Sequence, residues 1–359
     1  MDLNADFNTD FSPSSRFAAS GFSTLSGLGY DAFFSSSLEE GLTPGRVVRA
    51  DRGGCTVLSL EGSRQEAYRL PRGQRPCVGD WVGVGSDGVR QVLPRRTAIV
   101  RGAAAPGVSS GQVLAANVDI VYIAEPAVPE IDLGRIERLL ALAWESGARP
   151  VVLITKADLA GTVLAESELD LVARAAPGAD VVAVSTVAGT GLDGLRPGPG
   201  ETAVVLGRSG AGKSTLVNAL AGREAMATGE VRAADGRGRH TTVHRELLLL
   251  PGGGLVIDTP GLRSIALHAD GAGVARTFAD VADLADACRF TDCAHESEPG
   301  CAVLAAVADG ALPERRLASW RKLQREAEWA ASRTDARLRA ERERQWKIIQ
   351  RSVRGHSRP

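Results

Sequence analysis

The stretch Gly207-Arg208-Ser209-Gly210-Ala211-Gly212-Lys213-Ser214-Thr215 decides the fold of this chain. It fits the phosphate-loop pattern of a glycine, four residues, and then Gly-Lys-Ser/Thr. An apolar run (203–206) precedes it and an apolar helical pattern (216–220) follows it, so the motif stands between a buried strand and a helix. Glycines let the backbone turn its N–H groups around phosphate oxygens, and the helix N-terminus adds a positive end. The stretch predicts a nucleoside triphosphate site in which Lys213 contacts the β- and γ-phosphates and Ser214 holds Mg²⁺.

A second signal lies upstream, at the end of another apolar run. Thr155-Lys156-Ala157-Asp158 is close to the Asn-Lys-x-Asp signature with which GTPases read guanine. The Asp158 carboxylate can accept both the N1–H and the N2 amine of guanine, which adenine does not offer, and Lys156 is expected to lie against the base and ribose. Thr155 stands in place of the usual asparagine, which leaves one polar contact open. Ser185-Thr186 follows the next apolar run, where GTPases place a backbone contact to the guanine oxygen.

The order of these motifs differs from that of ordinary GTPases, in which the phosphate loop comes first. Here both guanine-reading segments precede Gly207, and a glycine-rich connector (189–200) joins the halves. Apolar strand patterns alternate with helical ones, which predicts a parallel sheet covered by helices. Chain termini can move around a domain surface without changing its sheet. We therefore predict a multidomain α/β protein with a circularly permuted GTPase domain over residues 113–273.

The segment 254–261 adds a buried strand that ends in an acid. Asp258 is expected to hold Mg²⁺, directly or through water, and the Gly261 N–H is expected to sense the γ-phosphate. Leu262 stands where Ras-like enzymes place a water-orienting glutamine, and leucine cannot orient water by hydrogen bonding. Hydrolysis therefore needs another polar group or a partner that completes the site.

The segment 236–242 has the glycine and polar content of a mobile loop. A threonine there, Thr242 by preference, is expected to cover Mg²⁺ and the γ-phosphate. His240 is the best candidate for the group that orients water, and a solvated loop histidine is the alternative. The catalytic candidates are thus Lys213, Thr242 and His240.

Residues 39–112 show a different sequence pattern, with about five short alternating apolar stretches separated by glycine and proline. This spacing predicts a small β-barrel of the OB type that binds RNA. Arg95, Arg96 and Arg101 near its end fit a nucleic-acid contact and a solvated edge equally well. Residues 1–38, rich in Ser, Asp, Asn and Phe, are typical of a flexible N-terminal tail, with docking of the phenylalanines as the alternative.

The remaining part of the chain (274–359) contains a crowded set of metal-ligating residues. They are Cys288, Cys293, His295 and Cys301. Three cysteines and a histidine form a set that structural zinc prefers, and four protein ligands leave no open position for catalysis. Residues 313–359 hold 14 Arg and Lys against 6 Asp and Glu, so this zinc-binding domain is expected to end in a basic helical tail. A solvated charged helix is the usual explanation of such a run, but the arginine content beside a barrel and a zinc module favours contact with RNA.

Composition fits an ordinary globular protein, with 44% hydrophobic residues and a formal net charge of −1. No apolar run approaches the roughly 20 residues that span a bilayer, and the N-terminus lacks the layout of a secretion signal. We expect a cytoplasmic protein without a membrane partner. The five cysteines do not suggest a disulfide framework.

Together these motifs resemble the ribosome small subunit-dependent GTPases of the RsgA/YjeQ family, over roughly residues 40–330. The matching stretches are Thr155–Asp158, Gly207–Ser214, Gly238-Arg239-His240-Thr241-Thr242, Asp258-Thr259-Pro260-Gly261-Leu262 and the cysteine cluster. The resemblance implies an OB-fold, a permuted GTPase domain and a zinc domain in a monomer. It also implies GTP hydrolysis stimulated by the 30S subunit, binding to 16S rRNA, and a role in late 30S maturation. The departures are Thr155, Ala211 and the compressed connector, and none removes a group that the chemistry needs.

Two other functions fit some of these residues. One is an RNA-binding scaffold whose GTP site is a switch with negligible turnover. The other is a nucleotide kinase, which leaves Asp158 and the cysteine cluster unexplained.

Overall fold

The structure, a computed structural model, describes residues 24–51, 54–59, 64–69, 75–101, 112–160, 166–223, 245–258 and 271–334. Three predicted site residues lie outside the described residues: His240, Thr242 and Gly261. The first part of the predicted tail (1–23) and most of the basic C-terminal segment (335–359) lie outside them as well.

The N-terminal region folds as an antiparallel sheet. Its strands are β1 (Thr43–Asp51), β2 (Gly54–Ser59), β3 (Arg64–Arg69), β4 (Trp81–Gly85) and β5 (Gly88–Val92). They lie in the order β5-β4-β1-β2-β3. Val47 and Val48 of the central strand β1 are both buried, because they face two different hydrophobic clusters. Among the described residues β3 and β5 form no ladder, so the barrel is not closed there and the predicted OB-type barrel is not confirmed. Alternating apolar residues predict individual strands but not which strand edges pair, so the pattern alone could not decide whether the barrel closes.

The last part of the predicted tail is docked on this sheet. A short 3-10 turn (Ser26–Leu28) and the one-turn helix α1 (Ala32–Ser35) pack Phe34, 1% exposed, against Trp81. Asp31 caps α1 by accepting a hydrogen bond from the Phe33 N–H at 3.0 Å. The buried Phe34 side chain gives this segment a packing role, which agrees with the alternative that its phenylalanines dock.

Two of the three arginines that fitted either an RNA contact or a solvated edge are engaged within the protein. Arg95 is paired at 2.7 Å with Asp80, which is fully buried, and Arg96 is paired at 2.6 Å with Asp31. These contacts favour a structural role for both arginines over a free edge.

A two-stranded sheet leads into the central domain: β6 (Ala98–Arg101) and β7 (Gln112–Ala116). The strands of the central sheet are β8 (Ile120–Pro126), β9 (Arg149–Thr155), β10 (Asp180–Val184), β11 (Thr202–Leu206), β12 (Glu246–Leu249) and β13 (Leu255–Asp258). Its helices are α2 (Leu133–Ser146), α3 (Glu166–Ala175) and α4 (Lys213–Ala221).

The central strands lie in the order β10-β9-β8-β11-β13-β12, and every neighbouring pair is parallel except β12 with β13. Separate hydrophobic clusters cover its two faces, which is why β8, β9 and β11 are almost continuously apolar. The predicted α/β sheet is therefore present. In addition, β12 pairs with β1 through Arg49 and Glu246, so the N-terminal sheet and the central sheet share one hydrogen-bonded edge.

The C-terminal region is helical. Its helices are α5 (Ala272–Thr277), α6 (Ala279–Ala285), α7 (Ala302–Ala308) and α8 (Glu314–Thr334). Helix α5 packs closely on α2, since a Cβ atom at Gly273 would lie 2.0 Å from the Ala141 carbonyl oxygen. A small core that includes Phe278, Val303 and Leu317 joins the four helices. Within the described ranges, no helix has the length and apolar content needed to cross a membrane.

Candidate functional site

The phosphate loop connects β11 to α4, as its sequence context predicts. Gly207 has a φ of 153°, and a Cβ atom there would lie 2.3 Å from the Ala124 carbonyl oxygen of β8, so a side chain cannot be accommodated. Gly212, with a φ of 81°, begins α4 without a side-chain cap. The first N–H groups of α4 are therefore left for a ligand, and the positive end of the helix faces the loop.

Lys213 and Asp258 lie close enough to influence each other's charge. The Lys213 ammonium donates a hydrogen bond to the Arg208 carbonyl at 2.8 Å, which folds the side chain back along the phosphate loop. Burial lowers the pKa of Lys213 and raises the pKa of Asp258, while each group opposes the other's shift by Coulomb attraction. Asp258 ends β13, the strand beside β11, and is 6% exposed. Ser214 is half-buried at the start of α4. A cation, a buried acid and a hydroxyl thus converge at one end of the sheet.

The turn that the sequence predicts to read guanine lies at the same edge, where β9 ends at Thr155. Lys156 adopts a left-handed backbone conformation with a φ of 56°, which turns the chain sharply after the strand. Asp158 follows and is exposed. Its Oδ1 atom accepts a hydrogen bond of 2.6 Å from the Ser185 hydroxyl, which also accepts from the Ala188 N–H at 3.0 Å.

Ser185 therefore contributes a side-chain contact that sequence reasoning missed, since we expected only a backbone contact from Ser185-Thr186. The contact arises because β9 and β10 are parallel neighbours that end at the same edge of the sheet. The position of the serine directly after the second of these strands is the signal that could have revealed it. Thr186, the next residue, is half-buried beside it.

Thr155 connects the guanine-reading turn to the phosphate loop. Its hydroxyl donates a hydrogen bond of 2.8 Å to the Ala211 carbonyl, and the side chain is 5% exposed. The substitution of threonine for the usual asparagine thus leaves the two motifs linked by a buried hydrogen bond.

The described residues of the predicted nucleotide site gather at the carboxyl ends of β9, β10, β11 and β13. Ligands bind at this edge in open parallel sheets. The strand order of the sheet brings together two guanine-reading segments and a phosphate loop that are far apart in the chain. The geometry fits a nucleoside triphosphate and Mg²⁺.

The cysteine cluster lies between α6 and α7, and its four ligand atoms are all within 4.8 Å of one another. The His295 Nδ1 atom is 3.5 Å from the Cys288 Sγ atom and 3.4 Å from the Cys301 Sγ atom, and these two sulfur atoms are 3.8 Å apart. Zinc bonds of about 2.3 Å to sulfur and about 2.0 Å to nitrogen in a tetrahedron give S–S edges of about 3.8 Å and S–N edges of about 3.5 Å. The residues therefore fit tetrahedral zinc, with Nδ1 as the histidine donor.

Comparison with known proteins agrees with this architecture. A profile of the RsgA GTPase family matches residues 92–268. The chain is 52% identical over 342 residues to the small ribosomal subunit biogenesis GTPase RsgA of Streptomyces coelicolor, and the alignment covers 91% of this chain and 93% of that protein. It is similar to the crystal structure of YjeQ from Thermotoga maritima, with a TM-score of 0.57 and 26% identity over 79% of this chain and 98% of that one. Its fold is also similar to that of YloQ, a circularly permuted GTPase, with a TM-score of 0.54 and 23% identity over 80% and 96% of the two chains. The chain belongs to the RsgA GTPase family.

Proposed function

We propose that this chain is a Mg²⁺-dependent GTPase that converts GTP and water to GDP and phosphate and acts in late maturation of the 30S ribosomal subunit. The observation that carries the proposal is the orientation of the Asp158 carboxylate by Ser185 at the edge that also holds the phosphate loop. An acid held in this way selects guanine, because it accepts two donors that adenine lacks. The name of the Streptomyces coelicolor relative, a small ribosomal subunit biogenesis GTPase, supports the biological role.

Each residue of the site has a proposed task. The backbone of Gly207–Thr215 cradles the phosphates, and Lys213 stabilises the charge that develops on the transferred phosphoryl group. Ser214, Asp258 and Thr242 would hold Mg²⁺, whose chemistry is to neutralise charge on the β- and γ-phosphate oxygens. In this proposal the Gly261 N–H senses the γ-phosphate.

The group that orients the attacking water is also part of the proposal. Leu262 replaces the glutamine that Ras-like enzymes use. We assign the task to His240, which precedes in the sequence the strand that ends at Asp258. Replacing His240 with alanine should abolish stimulated turnover and leave GTP binding intact.

The flanking regions are proposed to supply the partners. We infer that residues 39–112 form an OB-fold that binds 16S rRNA, and that residues 274–359 form a zinc domain whose basic end adds RNA contacts. Cys288, Cys293, His295 and Cys301 would hold one zinc ion that replaces hydrophobic burial in a region with a small core. The protein is proposed to work as a cytoplasmic monomer.

The deciding experiment is GTP hydrolysis with and without purified 30S subunits, with 50S subunits as the control. We expect strong stimulation by 30S subunits alone. Asp158→Asn should shift the nucleotide preference from GTP to xanthosine triphosphate, which tests the guanine site separately. Tight GTP binding without stimulation by 30S subunits would overturn the enzymatic proposal and favour a switch that acts as a scaffold.

A further inference from the structure

We propose that Arg321 of α8 is a positioning residue for the zinc site, and that it couples metal occupancy to the docking of α8 on the GTPase domain. The inference rests on the zinc site of the proposed function and goes beyond it. It concerns how a helix outside the cysteine cluster holds one ligand of that cluster in place.

His295 is the ligand whose conformation needs outside support. It is 6% exposed and has a φ of 57°, in the left-handed region that is strained for an L-residue. Such a conformation persists only when neighbouring groups hold it. The ring must also keep its orientation, because Nδ1 faces the sulfur atoms of Cys288 and Cys301.

Two adjacent residues of α8 supply that support. The Arg321 Nη2 atom donates a hydrogen bond to the His295 carbonyl oxygen. The Trp320 ring packs edge-on against the His295 ring, with centroids 5.6 Å apart and planes at 61°. One residue therefore holds the ligand's backbone and its neighbour holds the ligand's ring. Residues beyond the ligand shell commonly orient metal ligands in this way.

A third contact on this loop comes from within the loop itself. The Glu298 carboxylate accepts hydrogen bonds from the N–H groups of Ala294, Glu296 and Ser297 at 2.9, 2.8 and 3.0 Å. It can shape the loop around His295, but it cannot fix the loop relative to the rest of the protein. Arg321 can, since it belongs to a separate helix.

The same helix is anchored on the GTPase domain one and a half turns earlier. The Arg316 guanidinium donates to Glu137 of α2 at 2.8 Å and to the Ala175 carbonyl at the end of α3 at 3.1 Å. Arg321 lies five positions after this anchor in the helix, a rise of about 7.5 Å along a rigid element. Metal binding at His295 and docking at Arg316 therefore act on one rigid body, so each should strengthen the other.

The first test is the zinc affinity of the full-length chain, measured by competition with a chromophoric chelator and thus independent of GTP turnover. Arg321→Met should weaken zinc binding by roughly 10- to 100-fold, the usual cost of losing a residue that orients a metal ligand. Lys322→Met is the matched control, because Lys322 is the next residue on α8 and is exposed. It should bind zinc like the wild type. Arg321→Lys, which keeps a donor, should recover part of the affinity and guards against a folding defect.

The second test is hydrogen exchange of the α8 amides with and without zinc. We expect zinc to slow exchange across residues 314–334 in the wild type and to do so less in Arg321→Met. Equal zinc affinities for Arg321→Met and Lys322→Met would overturn the inference and leave the zinc site intact. Absence of zinc binding by the wild type would instead overturn the zinc part of the proposed function together with this inference.

Discussion

Two buried arginines lie where the GTPase domain meets its neighbours. Arg316 lies at the C-terminal joint, with the helical region, and Arg46 lies at the N-terminal joint, with the N-terminal sheet. The hydrogen-bond partners of the two arginines differ in charge. At the C-terminal joint, Arg316 is paired with the carboxylates of Glu137 and Asp280 at 2.8 and 2.9 Å. At the N-terminal joint, the acceptors that Arg46 reaches among the described residues are neutral: the Leu28 carbonyl at 3.0 Å, the Asn117 carbonyl at 3.1 Å and the Thr202 hydroxyl at 3.2 Å. The charge of Arg316 is compensated by carboxylates, whereas the charge of Arg46 is stabilised by the dipoles of carbonyl and hydroxyl groups.

The pKa values of the two guanidinium groups reflect this difference. Burial lowers the pKa of Arg46 to about 10, although the more distant Asp119 and Asp80 oppose the shift. Burial also acts to lower the pKa of Arg316, but hydrogen bonds to Asp280 and Glu137 outweigh it and raise the pKa. A buried charge costs free energy unless it is paired, so the C-terminal joint should be the stronger of the two.

The packing around the two arginines also indicates that the C-terminal joint is the stronger one. A cleft of about 290 Å³ adjoins Arg46 at the N-terminal joint, lined among others by Tyr30, Asp119 and Glu201. A fully buried aromatic ring lies against each arginine, but the Phe278 centroid is 4.3 Å from the Arg316 guanidinium carbon, whereas the Trp81 centroid is 5.1 Å from that of Arg46. We infer that the helical region docks more rigidly on the GTPase domain than the N-terminal sheet does.

The largest expected effect comes from Arg316→Met. It leaves Glu137, which is fully buried, with Arg315 as its remaining ion pair at 3.0 Å. Breaking a buried pair from one side costs about 3–5 kcal/mol, and we expect the lower end because Arg315 remains. Urea unfolding should report this loss as a lower midpoint with an unchanged slope.

Arg315→Met is the matched control for that variant. Arg315 contacts the same carboxylate, but its side chain is 41% exposed. Its loss should cost less than the loss of Arg316, because the Arg315 guanidinium is partly in water and Arg316 remains to pair with the buried Glu137 carboxylate. Equal destabilisation by both variants would contradict the special role given to Arg316.

Arg46→Met should have a smaller effect, which tests the comparison directly. The variant leaves buried neutral acceptors without a donor, but it also removes a buried charge that has no carboxylate partner among the described residues. We expect a net cost of about 1–2 kcal/mol in the same urea assay. Arg49→Met on the same strand, with a side chain 20% exposed, should cost less. A loss at Arg46 as large as that at Arg316 would show that the N-terminal joint is not the weaker one.

Thr155→Val tests a link that belongs to neither joint. Valine matches threonine in shape but cannot donate to the Ala211 carbonyl. The loss of one buried hydrogen bond, about 1 kcal/mol, should weaken GTP and GDP binding by roughly fivefold. A fluorescent nucleotide titration measures this, and Thr155→Ser, which keeps the hydroxyl, should bind like the wild type. Similar weakening by valine and serine would show that methyl packing matters rather than the hydrogen bond.

Motifs predicted more of this molecule than periodicity did. Glycine, lysine and serine at fixed spacing predicted a phosphate loop, and the structure shows this segment turning from β11 into α4, whose first N–H groups have no side-chain cap. Asp158 was recognised from its own tetrapeptide, but its contact with Ser185 depends on which strands become neighbours. A single strand's pattern does not contain that information.

The joints were the part that the sequence predicted least. Arg46 lies in a strand whose apolar alternation is clear, and nothing in its neighbourhood marks it as fully buried. Arg316 stands within a charged helix that reads as solvated, although Glu137, its partner, is far away in the chain. Phe34 likewise lies in a polar stretch that composition alone placed in a flexible tail. Each of these side chains is buried by a partner from a distant segment.

The smallest expected effect concerns Asp119 at the N-terminal joint, and here the direction of the change in the free energy of unfolding follows from the pKa. Burial raises the pKa of Asp119 above its usual 3.8, although the Thr202 N–H and the Arg46 charge act to lower it. A raised pKa means that the folded protein holds this proton more tightly than the unfolded chain. The stability that protonated Asp119 contributes is therefore fully present below about pH 3.8 and is lost as the pH rises through the folded pKa.

Asp119→Asn should consequently raise the free energy of unfolding at neutral pH. Asparagine can still accept the hydrogen bond that Thr202 N–H gives to Asp119 Oδ2 at 2.8 Å, and it carries no charge to bury. Urea unfolding measured from acid to neutral pH should show the variant and the wild type converging at the acid end, where the wild-type carboxyl is protonated too. A variant less stable than the wild type at neutral pH would mean that the Asp119 charge compensates Arg46 after all. The charge of Arg46 would then be compensated by a carboxylate at longer range, and the two joints would differ only in the distance between the arginine and its acidic partner.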